Sequence, residues 1–470
     1  MSERYPYAKK AAEKLRENRI WLARAEGLTV EQTGFDPPET DHNPPSQGHY
    51  RATYKWDEAA ADYMSATAAI EHAIDGDLDM ARYCLNAAKR GLRVDTAGID
   101  ETGFQPNYRY LGKPRRFDLE MMLAFKRGAT HSNYTQPPLN ALSVRKTFEA
   151  AKLLDEEPDL FLDEMYAPLA RHYDYFNREL KGSNGLIRIP HPHTTGRDSD
   201  PTFDDIKFRI PRDGVSTPKI VDKINIALDY GSILWHGIRL RRAHDDIQEM
   251  LKIYSMNDIM MNCIYADNLR EMAQLAREQL LIFDASRYEK LANKLEQKIL
   301  EEMWFPDARG GRGVFYGLGA NGEPIKEISI SNLFPLTIRT LKEEQLASIL
   351  DLMQQSFNVP YPLPSVATDS KNYDPHNHES WRLWRGPKWM ITDWYIVERG
   401  LWRQAERTDI DQKLVFRCQD WARRIARQSK IVVDREGARE HYNPITGKGQ
   451  RKAVVNFGWS YLAYLMRDSD

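Results

Sequence analysis

The sequence predicts an all-α chain closed into an (α/α)6 barrel, a toroid of helical hairpins with its long loops at one mouth. Three observations carry that expectation. Segments with 3.6-residue apolar spacing follow one another in pairs across short breaks. The stretches between pairs run to about 20 residues and are rich in Trp, Tyr, Pro and Gly, and loops of that length inside a compact chain are commonly functional. No fixed-period signature of the tetratricopeptide, HEAT or ankyrin kind recurs, which removes the main argument for the alternative, an α-solenoid.

The elements read in order as follows. Residues Tyr7 to Ala25 have helical spacing and lead into the Pro-rich arm FDPPETDHNPPSQGHY, so 1–45 is expected to pack on a single barrel formed by 46–470. A helix opening at Tyr54–Asp57 carries Met64, Ile70, Ala73 and Ile74 on one face. Asp75-Gly76-Asp77 stops it, and a second helix runs through Cys84, Leu85, Ala88 and Leu92. Helices are then expected near Leu119 to Lys126, Pro138 to Leu154, Leu160 to Leu180, Val221 to Arg242, Asp258 to Phe283, Ala285 to Glu302, Glu343 to Gln355, Lys388 to Gln404 and Asp409 to Lys430. Leu269, Met272, Ala276 and Leu280 form a clear stripe in one of them. The segment 205–257 is long and basic (Lys207, Arg209, Arg212, Lys219, Arg239, Arg241, Arg242) and reads as a lid or an oligomer contact.

Bulk properties narrow the function. The 66 basic and 68 acidic residues nearly cancel to a formal charge of −2, which argues against nucleic acid or an anionic membrane as partner. Cys84, Cys263 and Cys418 are far apart and form no CxxC, so neither a disulfide framework nor a thiolate zinc site is expected. With no apolar run of about 18 residues and a charged N-terminus, the reading is a cytoplasmic protein. Aromatics at 11% leave enough rings for an aromatic-lined cleft.

The chemistry is concentrated in loops. Arg188 to Asp204, RIPHPHTTGRDSDPTFD, is kept out of long helix or strand by Pro190, Pro192, Gly196 and Pro201, and it crowds Asp198, Asp200 and Asp204 together. Mutual repulsion among them can raise one pKa far enough for general-acid work; the bland alternative is a set of solvated turn aspartates. YRATYKWDEAA pairs Trp56 with Asp57, an apolar platform beside a hydroxyl acceptor, which suits a sugar; HSNYTQPP holds Gln136 outside the following helix. Pro364 to Trp402 places Trp381, Trp384, Trp389, Trp394 and Trp402 around the turn Arg385-Gly386-Pro387. An indole wall with an embedded guanidinium suits a polar ring-shaped ligand, with core packing as the alternative, above all for Trp394 and Trp402. His376 and His378 form an HxH without a placed third ligand, so no metal and no cofactor are expected. Near the C-terminus Glu440 precedes a Tyr442-Asn443-Pro444 turn, and Phe457-Gly458-Trp459 opens a closing helix.

In this order, WD, GFQPN, QPP, TTGRDSDP, WRGPKW and EHYNPITG with FGWS, the motifs resemble glycoside hydrolase family 63 and its small bacterial members, the mannosylglycerate and glucosylglycerate hydrolases. The resemblance spans Trp56 to Trp459. It implies an (α/α)6 barrel and an inverting, exo-acting α-glycosidase, with Asp198 as general acid and Glu440 as general base. Trp56, Asp57, Gln136, Trp384, Arg385 and Gly386 fall on its sugar-pocket positions, and Tyr50 on one that recognises glycerate. Arg197, Trp389, Tyr442 and Trp459 complete the expected substrate-binding set, in which Arg197 and Arg385 would suit an anionic aglycone. Thr195-Gly196, Leu383 and Asp393 stand where the family usually has Ser-Gly, an aromatic residue and Asn. The partner expected is a small sugar, with a homo-oligomer left open. The alternatives are a neutral α-glucoside or oligosaccharide as substrate, a sugar epimerase using His193, His376 and His378, and a non-catalytic sugar-binding protein.

Overall fold

The computed structural model describes residues 59–61, 70, 73, 78, 81–82, 102–106, 108–110, 126–127, 131–132, 134–206, 228, 231–232, 234–240, 246–376, 383–449, 453 and 457–468. The arm at 1–45, Tyr50, Trp56, Asp57, Cys84, His378 and Trp381 lie outside the described residues, as does most of the basic segment between 207 and 245.

Ala59–Ala61 (β1), Tyr108–Tyr110 (β2), Lys126–Arg127 (β3) and His131–Ser132 (β4) form an antiparallel sheet in the order β1-β2-β4-β3. This corrects the opening of the helix expected from Tyr54, whose later residues Ile70 and Ala73 are helical, and the end of the helix expected at Lys126, which is strand. Alanine favours helix by only a few tenths of a kcal/mol per residue over most types, so pairing with Tyr108–Tyr110 decides the matter for Ala59–Ala61.

The helical frame follows. Asn140–Leu154 (α1) and Pro158–Tyr175 (α2) form a hairpin, and α2 continues through one π-helical turn, Phe176–Leu180. Ile247–Ile253 (α3) precedes the longest hairpin, Ile259–Glu278 (α4) with Ile282–Glu302 (α5). A β-hairpin, Trp304–Arg309 (β5) and Arg312–Phe315 (β6), leads to a 3-10 segment Ile330–Thr337 and then Glu343–Ser356 (α6). The helix called α7 runs as Met390–Tyr395, a π-helical Ile396–Leu401 and Trp402–Ala405. Gln412–Glu436 (α8) and the 3-10 segment Gly458–Leu465 complete the chain.

Burial alternates along this series. Every residue of α4 from Ile259 to Ala273 is buried, whereas α5 buries one stripe, Ala285, Tyr288, Ala292, Leu295, Glu296 and Ile299. All of Ile330–Thr337 is buried and α6 shows one face; the same contrast separates α7 from α8. Inner helices surrounded by protein therefore alternate with outer helices facing solvent, as an (α/α)6 barrel requires. Polar residues on the inner helices are paired across the core: Asp267 of α4 meets Arg399 at 2.8 Å and Arg403 at 2.7 Å. Burial alone would raise the Asp267 pKa, and these two guanidiniums more than reverse it.

α4 ends at Glu278, earlier than the Leu269–Leu280 stripe implies, because Leu280 takes a left-handed φ of 59° and turns the chain. Leu280 is 81% exposed. Among the described residues no helix is long and apolar enough to cross a membrane.

Isolated β-bridges mark the mouth. Ile189 pairs with Met256, Asn257 with Leu318, Ser329 with Val366, and Lys388 with both Pro364 and Tyr442. Asn257, Ser329 and Lys388 each stand one or two residues before an inner helix. The N-terminal ends of these inner helices thus share one rim, and the loops that hold the candidate site residues are laced along it.

One stability prediction arises from the frame. His172 of α2 is fully buried, with Nδ1 2.9 Å from the Gly103 carbonyl, and burial pushes its pKa down to about 4; His236, buried against the Pro190 carbonyl, is also pushed down to about 4. The unfolded chain takes up protons at these rings once pH falls below about 6.5, while the native protein resists until about 4. Stability is thus expected to be full above that window and to decline through it as pH falls. Urea melts at intervals between pH 7 and 4 check this, and His172→Gln, which does not titrate, should flatten the decline.

Candidate active site

The acid loop is stiff because its own side chains close its turns. The His193 N–H donates to His191 Nδ1 at 3.1 Å, Thr195 Oγ1 donates to the Pro192 carbonyl at 2.8 Å, and Gly196 ends the 3-10 turn Pro192–Thr195 at φ 70°. Arg197 then dives inward. It is 1% exposed and its guanidinium bridges Asp200 and Asp258, the N-cap of α4, which ties the loop to an inner helix. Burial would lower the Arg197 pKa, but Asp258 and Asp200 raise it; burial raises the pKa of Asp258 in turn. Asp200 also accepts from the Thr202 N–H at 2.9 Å and its hydroxyl at 2.8 Å.

The expected crowding of carboxylates is therefore relieved by ion pairing. Asp200 belongs to Arg197 and Asp204 pairs with Arg385, which leaves Asp198 as the loop carboxylate with a half-exposed side chain (47%). Its neighbour is His193, with Nε2 3.8 Å from Oδ2. Of the two arginines offered to an anionic aglycone, Arg197 is held wholly within the protein and Arg385 is committed to Asp204.

The WRGPKW turn sits on this loop. The Trp384 N–H donates to Ser199 Oγ at 3.0 Å, and the Trp384 and Trp389 rings stack with centroids 4.1 Å apart and planes 3° from parallel. Gly386 has φ 149°, its N–H donates to Ser365 Oγ at 2.8 Å, and an added Cβ would lie 2.5 Å from the Asp374 carbonyl oxygen. Gly386→Ala is expected to cost about 1–3 kcal/mol through backbone strain and to displace Arg385, so both the melting temperature and kcat/KM should fall. Lys388 and Asp393 form a fully buried pair, with Lys388 also donating to the Pro362 carbonyl at 2.8 Å. Burial lowers the Lys388 pKa and pushes that of Asp393 up to about 6. Trp394 and Trp402 pack in the core as part of α7.

Glu440 lies 7% exposed on the segment that pairs with Lys388. Its neighbour His441 faces Trp389 at 5.3 Å, and Trp459 meets Trp389 at 6.2 Å, edge to face. The Tyr442 hydroxyl donates to the Gly437 carbonyl and accepts the Arg439 N–H, both at 2.8 Å, so this ring fastens the turn. Asn443 does likewise, accepting from the Ile445 and Thr446 N–H groups and donating to the Pro375 carbonyl at 2.9 Å. His376 lies against it, Nδ1 to Asn443 Nδ2 3.2 Å. Gln136 is buried in the segment before α1, two residues from Tyr134, whose hydroxyl reaches His193 Nδ1 at 3.1 Å.

Ser199, Trp384, Trp389 and His441 thus form an unbroken path of contacts from the Asp198 loop to the Glu440 loop. Sequence reasoning passed over Glu327, which accepts from Ser370 Oγ at 2.5 Å and Asn372 Nδ2 at 2.8 Å, while Asn372 Oδ1 accepts from Arg385. Burial raises its pKa, and Asp200 and Asp204 add to the effect. Only the turn-rich GANGEP just before it could have flagged the place.

Comparison with known proteins fits this geometry. Residues 52–460 match the family model described as the mannosylglycerate hydrolase MGH1-like glycoside hydrolase domain. The mannosylglycerate hydrolase of Rubrobacter radiotolerans is 24% identical over 355 residues, covering 70% of this chain and 72% of that protein. That of Thermus thermophilus is 27% identical over 343 residues, covering 70% and 75%. The crystal structure of a GH63 mannosylglycerate hydrolase from Thermus thermophilus in complex with Tris superposes with a TM-score of 0.70 at 21% identity, over 96% of this chain and 99% of that one, which establishes the shared (α/α)6 barrel. The chain accordingly belongs to the mannosylglycerate hydrolase MGH1-like glycoside hydrolases, and it is a glycosidase.

Proposed function

We propose that the protein is an inverting, exo-acting α-glycosidase on a small α-glycoside such as mannosylglycerate or glucosylglycerate, with Asp198 as general acid and Glu440 as general base. The observation that carries the reading is the single half-exposed carboxylate left on a rigid loop, joined through the Trp384–Trp389 stack to the segment bearing Glu440. In inversion the acid protonates the glycosidic oxygen while the base, about 6.5–9.5 Å away, activates a water on the opposite face of the sugar. The names of the relatives, mannosylglycerate hydrolases and a glucosylglycerate hydrolase, support the glycerate-linked substrate class.

A second reading, hydrolysis of a neutral α-glucoside, draws on one observation. Arg197 and Arg385 are already neutralised by aspartates and have little charge left for a carboxylate-bearing aglycone. The epimerase alternative loses ground because His376 is engaged with Asn443 of the base loop. A product assay on mannosylglycerate, glucosylglycerate, kojibiose, trehalose and maltose, following the anomeric proton of fresh product by NMR, separates the readings. Prompt release of a β-sugar from a glycerate glycoside is the expected result. First release of the α-anomer would sink inversion, and cleavage confined to the neutral sugars would replace the substrate.

A further inference from the structure

Beside Asp198 stands a side chain that the acid–base assignment does not use. His193 is 6% exposed, in the 3-10 turn Pro192–Thr195, and its ring is set from three sides. Its backbone N–H is fixed on His191 Nδ1 at 3.1 Å, the His191 ring lies edge-on at 4.7 Å, and the Tyr134 hydroxyl sits 3.1 Å from Nδ1. The other nitrogen, Nε2, lies 3.8 Å from Asp198 Oδ2. That is longer than a hydrogen bond, and contacts of this kind commonly tighten when substrate closes a site.

We propose that His193 is a positioning residue for the general acid: held by Tyr134, it donates through Nε2 to Asp198 Oδ2 and so confines the acid proton to Oδ1. The inference rests on the assignment of Asp198 above. The 3.1 Å contact fits either direction, and we take the Tyr134 O–H as the donor to Nδ1, the arrangement in which the neutral imidazole carries its proton on Nε2. A donor facing Oδ2 disfavours a proton on that oxygen, because the unprotonated oxygen is the better acceptor and a proton on the same side would oppose the N–H. The transferable proton accordingly sits on the oxygen turned away from His193. When it passes to the glycosidic oxygen and the C–O bond breaks, the carboxylate that remains still receives the Nε2–H bond, so the imidazole stays neutral and no second proton moves. The half-exposed Asp198 side chain would otherwise share its proton between two equivalent oxygens and several rotamers.

Leaving-group chemistry provides the test. Fluoride departs from an α-glycosyl fluoride without a proton, whereas glycerate departing from mannosylglycerate or glucosylglycerate needs one. Full-length His193→Phe is expected to lower kcat on the glycerate glycoside by about 10–100-fold while changing the rate on the matching α-glycosyl fluoride by less than about 3-fold. His193→Gln, whose amide N–H can occupy the place of Nε2–H, should recover most of the loss. Tyr134→Phe, which keeps the ring and removes the hydroxyl, should reproduce a smaller selective loss. Equal losses on both substrates, or none on the glycerate glycoside, would overturn the proposal. Asp198→Asn measured alongside separates the two levels: if it keeps full activity on the glycerate glycoside, the acid assignment itself fails, whatever His193 does.

Discussion

Asp198→Asn and Glu440→Gln are each expected to lower hydrolysis by about 10²–10⁴-fold, the usual contribution of one positioned acid or base. Folding should survive both. Asp198 has a half-exposed side chain and, among the described residues, engages in no buried ion pair, so its amide leaves no charge stranded; Glu440→Gln keeps the shape of the side chain on a segment held mainly by Tyr442 and Asn443. The two variants differ in what should restore them. Small anions such as azide or formate can take the place of the missing base and attack the anomeric carbon, so rescue is expected in Glu440→Gln with a glycosyl fluoride. No such anion can supply the proton missing in Asp198→Asn. The measurement is kcat with and without added azide, beside a thermal melt; near-full activity in either variant removes that residue from its role.

Arg197→Met should give the largest loss of stability, about 3–5 kcal/mol, because it leaves Asp200 and Asp258 buried without their shared counter-charge. The same variant decides between the two places considered for Arg197. A guanidinium that binds substrate would raise KM and leave the melting temperature nearly unchanged, whereas one that pins the acid loop to α4 would lower the melting temperature and weaken kcat as Asp198 drifts. The second pattern is expected. Its pH dependence has a definite sign. Burial already raises the folded-state pKa of Asp258 and Arg197 opposes that rise, so without the guanidinium the rise is larger and the native variant binds protons more readily than its unfolded chain. Relative to wild type the deficit should be greatest at neutral pH and shrink as pH falls through the carboxylate range, which melts at pH 7 and pH 5 would reveal.

Most of the helical frame was legible because apolar spacing records which face of a helix is buried. Its failures are local and physical. The apolar run Leu280-Leu281-Ile282-Phe283 continues a helical stripe on paper, yet Leu280 takes a left-handed turn with no glycine to announce it. Ala59–Ala61 reads as helix by propensity and becomes a strand through a partner about 50 residues away. Order and type of residue were enough to pick out the loops of the candidate site, since Pro, Gly and Trp mark them. What those loops do with their charges was not legible. Arg197 is captured by Asp258, 61 residues downstream, and Arg385 by Asp204, 181 residues upstream. Asp200, three residues on, marks a counter-ion near Arg197, but the distant aspartates that complete the capture leave no local trace, so both arginines looked available for an anionic substrate. The fastening role of the Tyr442 hydroxyl was not legible for a related reason: its partners are backbone groups of Gly437 and Arg439, which carry no side-chain signature.

The parallel indoles of Trp384 and Trp389, with Trp459 edge-on beside them, have an optical consequence. Rings this close exchange excitation far faster than they emit, so the three behave as one chromophore, and light absorbed by any of them samples the environment of all. A sugar settling near the wall would therefore register as a change in ultraviolet emission even where no bond is cleaved. The protein carries its own titration signal for the inactive variants, in which occupancy has to be measured without turnover.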